Sequence, residues 1–215
     1  MKTMNNFKEM FDKDYFENGV GTGKSLYSNY RWMPEISFPI AHDIVLSLGI
    51  TKEDKIIDFG CAKGFLVKAF TLMGYDAYGV DISKYAIENA EPEIKDRVFL
   101  KGKNSVKEKY DFGICKDVLE HCLNTKNLEQ ILEQMNELAN KWFVAIPLGN
   151  GRKYFIPAYD LDPSHFIKQP KEWWLKKFSE NFKVEKYSES AGQIKRKWVE
   201  QDPRGNLFAI LTLKH

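Results

Sequence analysis

The chain has 215 residues, 43% hydrophobic and 29% charged, a balance that fits one globular α/β domain over residues 1–215 and excludes disordered, collagen-like and low-complexity chains. Against 30 acidic side chains stand 32 basic ones, and the net charge of +2 is too even to predict a nucleic-acid groove or a basic membrane face. No apolar run approaches the roughly 20 residues of a membrane span, and Met1 to Phe16 lacks the apolar core of a signal peptide. Cys61, Cys115 and Cys122 contain no C-x-x-C pair and read as reduced thiols, so a cytoplasmic protein is expected.

Residues 1–35 fall outside any regular alternation. Within them Gly21-Thr22-Gly23-Lys24-Ser25 looks like the end of a P-loop, but Asn18 stands where that motif needs glycine and no strand precedes it. Beside Tyr27, Tyr30, Arg31 and Trp32 the stretch reads instead as a lid that closes over a cofactor or substrate. His42 falls in an apolar helix, where packing is its expected role. Lys55 to Phe59 is a short apolar strand ending at a Gly-rich turn. Phe65, Leu66, Ala69, Phe70 and Met73 then recur at helical spacing, with Gly74 as a C-cap.

Tyr75 to Ile82 is the next strand, after which Ser83 caps a helix running to Ala90. Val98 to Leu100 and Phe112 to Cys115 are two further strands. Asn124-Thr125 opens a helix with Leu128, Ile131, Leu132, Met135 and Leu138 on one face. Trp142 to Leu148 is a buried strand, followed by an insert at 149–169 and a helix from Pro170 to Asn181, whose Trp173 and Trp174 are expected to pack in the core. Phe182 to Tyr187 and Leu207 to Leu213 close the chain as an antiparallel hairpin. Its long polar connector holds Lys195-Arg196-Lys197, expected to be solvated. The pattern predicts a doubly wound, mostly parallel seven-stranded sheet between helices.

In such a sheet ligands bind beyond the carboxyl ends of the strands, and three of those ends carry telling residues. The first reads Asp58-Phe59-Gly60-Cys61-Ala62-Lys63-Gly64, whose small residues let backbone amides approach a ligand. The second is Asp81, an acid placed to accept ribose hydroxyls. The third is Asp117-Val118-Leu119-Glu120-His121. A dinucleotide fingerprint would need G-x-G-x-x-G, but here alanine takes the second position and phenylalanine the last.

The acid-x-Gly-x-small-x-Gly spacing with the later Asp81 resembles motifs I and II of class I S-adenosylmethionine-dependent methyltransferases, over about residues 40–147. The resemblance implies a Rossmann-like fold and S-adenosyl-L-methionine as cofactor. It places Gly60, Cys61, Ala62 and Gly64 in the turn beneath the methionine moiety. Asp58 would orient the loop or receive the ligand's ammonium, Asp81 would hold the ribose, and Ile82 would flank the adenine. Asp117 and Val118 would line the methyl donor. After the third strand, Asn104, Ser105 or a backbone carbonyl would serve the adenine amine.

Methyl transfer from a sulfonium needs no metal, and none is expected. A hydroxyl acceptor does gain from a general base. His165, in Asp162-Pro163-Ser164-His165, and His121, in a Leu-Glu-His segment similar to that of small-molecule methyltransferases, are the candidates. For each, a purely local hydrogen-bonding role stands as the alternative. Neither the Asp/Asn-Pro-Pro-aromatic loop of amino-methylating DNA enzymes nor a Pro-Cys nucleophile is present, so a small-molecule acceptor is expected rather than nucleic acid. The 15–35 stretch resembles methyltransferases of bacterial surface-polysaccharide pathways. That implies a sugar, nucleotide-linked or phosphate-bearing acceptor, with Arg31, Arg152 or Lys153 as anion contacts; Tyr27, Tyr30, Tyr154 and Tyr159 are expected to contact the substrate as well. Transfer to an amine or protein side chain, and a non-catalytic partner subunit of the same fold, are the competing functions.

Overall fold

The computed structural model describes residues 7–102 and 109–214. In β1 (Lys55–Phe59) successive side chains point to opposite faces, so Ile56 and Ile57, both fully buried, enter different layers of the core. Ile56 joins the layer under α3 (Pro34–Leu48) and α4 (Phe65–Leu72), with Ala41, Ile44 and Phe70. Ile57 joins the layer under α6 (Thr125–Leu138) and α7 (Lys171–Asn181), with Leu132, Trp174 and Phe178.

The remaining strands are β2 (Asp76–Asp81), β3 (Val98–Leu100), β4 (Tyr110–Lys116), β5 (Ala139–Pro147), β6 (Phe182–Ser188) and β7 (Asn206–Leu213). They form one seven-stranded sheet in the order β3-β2-β1-β4-β5-β7-β6. Pairings from β3 through β5 are parallel, while β7 runs antiparallel to both β5 and β6. The order reverses between β1 and β4, which opens a crevice at their carboxyl ends. The doubly wound α/β architecture with a terminal antiparallel hairpin is as expected from the sequence.

Three local features differ from expectation. The connector between β6 and β7 is not an open hairpin loop: it carries a short helix, α8 (Arg196–Gln201), and its Lys195 is drawn into the interior, with a side chain only 7% exposed. His42 lies on the outer, exposed face of α3 rather than in the core. Segment 13–35 is structured, with short helices α1 (Lys13–Glu17) and α2 (Gly19–Thr22), and its aromatic residues pack on α5 (Lys84–Glu88) through Phe16 and Tyr85. Among the described residues no helix is long and apolar enough to cross a membrane.

Candidate functional site

The bend after β1 is held by its own backbone. Gly60, Ala62 and Gly64 have φ of 82°, 51° and 77°, all in the left-handed region. At Gly60 even a methyl group is excluded, because a Cβ there would sit 2.3 Å from Cγ2 of Val118. Two backbone amides, those of Ala62 and Ser83, donate to the Asp81 carboxylate at 2.8 and 2.7 Å, tying the bend to the end of β2. Burial raises the Asp81 pKa, and the amide hydrogen bonds oppose that rise. Asp58 lies beneath the bend, 4% exposed; burial pushes its pKa to about 7, with Lys116 opposing and Asp81 reinforcing.

Above the bend is a cavity of about 280 Å³. Its walls bring together Gly60, Ala62, Asp81, Ile82, Asp117, Val118, Tyr27 and His121 from the residues picked out in the sequence. Asp58, Cys61 and Gly64 support it from below without lining it. Asn104 lies outside the described residues. The end of β3 contributes Lys101 instead, with its ammonium 4.2 Å from the Phe59 ring centroid and its pKa lowered by burial to about 8. Phe7, Phe11, Tyr15 and Phe16 roof the cavity from the N-terminal segment.

That roof is fastened at several points. Lys63 of the bend pairs with Glu17 at 2.5 Å and donates to the Tyr30 carbonyl at 2.9 Å. Ser83 donates to the Phe11 carbonyl at 2.6 Å, and the Tyr15 hydroxyl donates to Asp162 at 3.2 Å. Lys24, in the stretch that mimics a P-loop, is spent on Asp12 and Asp14 at the surface. Tyr30 packs between Phe16 and Phe65, away from the cavity, and Arg31 is exposed.

The inner wall is built where the 3-10 turn Leu119–His121 meets the 149–169 insert. Asp162 accepts from both the amide and the hydroxyl of Ser164, at 2.8 and 2.5 Å. The Ser164 hydroxyl, its hydrogen thus committed, lies 2.8 Å from Nδ1 of His121, and the Ser164 carbonyl lies 3.1 Å from the same nitrogen. A carbonyl only accepts, so Nδ1 of His121 carries the proton and Nε2 is left as the acceptor. His165 sits behind, its ring centroid 4.7 Å from that of His121 and its Nδ1 donating to the Tyr159 carbonyl at 2.8 Å. Burial and the neighbouring His165 lower the His121 pKa to about 4.

Tyr154 and Tyr159 direct their hydroxyls to the Ile167 carbonyl and to Asn206, so within the insert they frame His165. Arg152 lies apart, with Lys153 and Lys168, around a shallow depression on the outer face.

Two acids of the segment after β4 owe their state to their neighbours. Asp117, at φ 57°, is clamped between Lys116, at 2.6 Å, and Lys195 from the β6–β7 connector. Burial pushes the Asp117 carboxyl up, but the two ammonium groups outweigh it and hold it well below the usual range. Glu120 is fully buried; burial, reinforced by Asp117, raises its pKa to about 8. The Asp117–His121 segment was picked out in the sequence, but its ammonium partners Lys116 and Lys195 were not. Nothing local marks Lys195, which arrives from the far end of the chain.

A family profile described as a methyltransferase domain matches residues 33–146. Among solved structures, a TehB-like S-adenosylmethionine-dependent methyltransferase from Corynebacterium glutamicum is 15% identical, with a TM-score of 0.60 over 92% of this chain and 93% of that one. A Haloferax volcanii methyltransferase solved with its activator Trm112 is 12% identical, with a TM-score of 0.61 over 84% of this chain and 91% of the other. The small RNA methyltransferase HEN1 is 18% identical, with a TM-score of 0.60 over 86% of this chain but only 26% of that protein. At these identities the structural likeness carries the fold alone. No curated protein matches the sequence.

Proposed function

We propose, from the premise that this chain belongs to the class I S-adenosylmethionine-dependent methyltransferases, that it methylates a hydroxyl of a small polar acceptor. The observation that carries this reading is one shared cavity: the Gly60–Ala62 bend and Asp81 line one side, and His121 lines the other. The sulfonium cofactor, when bound, supplies a methyl group already activated for displacement. The Gly60–Ala62 bend and the Asp81 carboxylate suit such a ligand, with Ile82 and Val118 as apolar walls for its adenosyl part and Asp117 beside the donor.

The protein's own tasks are to align donor and acceptor, exclude water and take up the acceptor's proton. His121 takes the proton: it faces the cavity, its tautomer is fixed by Ser164, and it is neutral at physiological pH. His165 stands behind it and acts through it. The aromatic roof acts as a lid, consistent with its ties to the bend and to Asp162. Arg152, with Lys153 and Lys168, lies around a separate depression and takes no part in holding an acceptor in this cavity. Reduced thiols at all three cysteines suit a cytoplasmic enzyme.

A roofed cavity and a net charge of +2 favour a small acceptor over an RNA strand such as the HEN1 neighbour's name describes. The test is S-adenosylhomocysteine release against a panel of hydroxylated metabolites, sugar phosphates, amines and a short RNA. Release is expected with a hydroxylated small molecule and should fall by about 10²–10⁴-fold in His121→Ala. Release with amines or RNA alone would overturn the acceptor assignment. Calorimetry showing no binding of S-adenosylmethionine would favour a non-catalytic partner subunit.

A further inference from the structure

Both carboxylate oxygens of Glu120 are buried, and among the described residues neither has a hydrogen-bond partner. A carboxylate stripped of water and given no donor is costly unless a cation joins it. Two imidazoles stand beside it. The Nδ1 of His121 is committed to Ser164 and that of His165 to the Tyr159 carbonyl, so both rings turn an unprotonated Nε2 to their remaining surroundings. One ligating atom from each of Glu120, His121 and His165 lies within 4.8 Å of the others. A histidine that gives its second ring N–H to an oxygen acceptor is the usual arrangement around a bound metal, because that bond fixes tautomer and orientation together. Here both histidines have it.

We propose that Glu120, His121 and His165 form a site for one divalent first-row cation at the inner wall of the cavity. Two imidazoles and one carboxylate favour Mn²⁺, Fe²⁺, Co²⁺ or Zn²⁺ over Mg²⁺ or Ca²⁺, which prefer all-oxygen shells. Three protein ligands leave coordination positions open, and His121 is the member that lines the cavity, so an acceptor oxygen has access there. Asp162, 3.9 Å from Nε2 of His165 and bonded to Ser164, supports the cluster from outside. This deepens the reading above and rests on it for its role in methyl transfer. Coordination lowers the pKa of the acceptor hydroxyl, whose proton leaves to water; the oxygen then forms the new O–C bond as the C–S bond breaks and sulfur keeps the electron pair. The proton-accepting role given to His121 above belongs to the cation-free site; with a cation bound, His121 holds the cation instead.

The test begins with chelator-treated full-length protein titrated with Co²⁺. The expected result is one equivalent bound, with visible d–d absorption. Glu120→Gln and His165→Gln should weaken binding at least a hundredfold, while the exposed His42→Ala should leave it unchanged. Should the buried variants fail to fold, the unmutated protein still decides: the electron paramagnetic resonance of bound Cu²⁺ should show coupling to two nitrogens. No Co²⁺ signal, or Cu²⁺ without nitrogen coupling, overturns the site. Activity separates the two readings. Full turnover in excess chelator with loss in His121→Ala removes the cation and keeps the proton acceptor. Cation binding at the three residues without turnover of any hydroxyl acceptor keeps the site and removes the acceptor assignment.

Discussion

The Ser164 hydroxyl lies 2.8 Å from Nδ1 of His121, a contact between residues 43 apart in sequence that locks the turn after β4 to the insert after β5. Through Asp162 the lock reaches Tyr15 in the roof. Ser164→Ala is expected to lower kcat by about ten- to a hundredfold, with the cofactor's KM changed less than twofold, because the ring loses its orientation while the bend after β1 is untouched. Loss of one buried partner of Asp162 should cost about 1–3 kcal/mol of stability. Steady-state kinetics and a denaturant titration check both; an equal rise in cofactor KM would show that the effect spreads to the bend.

Asp58 gives the site a pH dependence. Its pKa of about 7 lies above the ordinary aspartate value, through burial with Asp81 adding and Lys116 opposing. The folded protein therefore holds an extra proton between about pH 4 and 7, and the ligand-free fold loses stability as pH rises through that window. A cationic sulfonium favours the ionised carboxylate. Affinity for S-adenosylmethionine should strengthen from pH 6 towards 7, by at most about tenfold per unit, and then level off. Calorimetry at several pH values should show this slope in the unaltered protein and a flat, weaker response in Asp58→Asn.

Gly60 and Val118 are the tightest contact of the bend. Gly60→Ala places a side chain at φ 82° and against Val118. A loss of about 2–4 kcal/mol is expected, read as a Tm lowered by roughly 4–16 °C, together with loss of cofactor binding. Adding Val118→Ala should recover part of the Tm by removing the clash, while the backbone strain stays. No recovery in the double variant would mean that conformation, not space, dictates glycine here.

The clamp on Asp117 predicts coupling between distant parts of the chain. Lys195→Met should cost about 3 kcal/mol, since it leaves a buried carboxylate with Lys116 as its ammonium partner. Adding Asp117→Asn should restore much of that loss, giving a coupling energy above about 1 kcal/mol in the double-mutant cycle. Simple additivity of the two substitutions would show that the contact contributes little.

Much of this protein was legible in its residues taken in order. The short apolar run in Lys55–Phe59, helical spacing in Thr125–Leu138 and the small residues around Ala62 are local patterns, and local backbone sterics turn them directly into strand, helix and bend. The same holds for Asp81, because the carboxyl end of the strand after β1 is a position that chain order dictates. Asp162 closes a local turn through the Ser164 amide, and its carboxylate also orients the Ser164 hydroxyl.

What only the folded molecule decided is where charge and hydrogen-bonding groups from remote segments meet. The run Lys195-Arg196-Lys197 reads as solvated because charged residues in a polar connector are normally hydrated. It takes the pairing of β7 with β5 to carry Lys195 to Asp117, where a buried carboxylate offers more than water does. The pairing of His121 with His165, the isolation of Glu120 and the closing of Phe7 to Phe16 over the cavity are likewise products of packing between segments. Sequence by itself determined the fold, since local periodicity and chain order dictate it, and it located the bend at Gly60–Gly64 and the acid at Asp81. The grouping of His121, His165, Glu120 and Ser164 was decided by tertiary structure alone, since it depends on which groups from remote segments are brought out of water together.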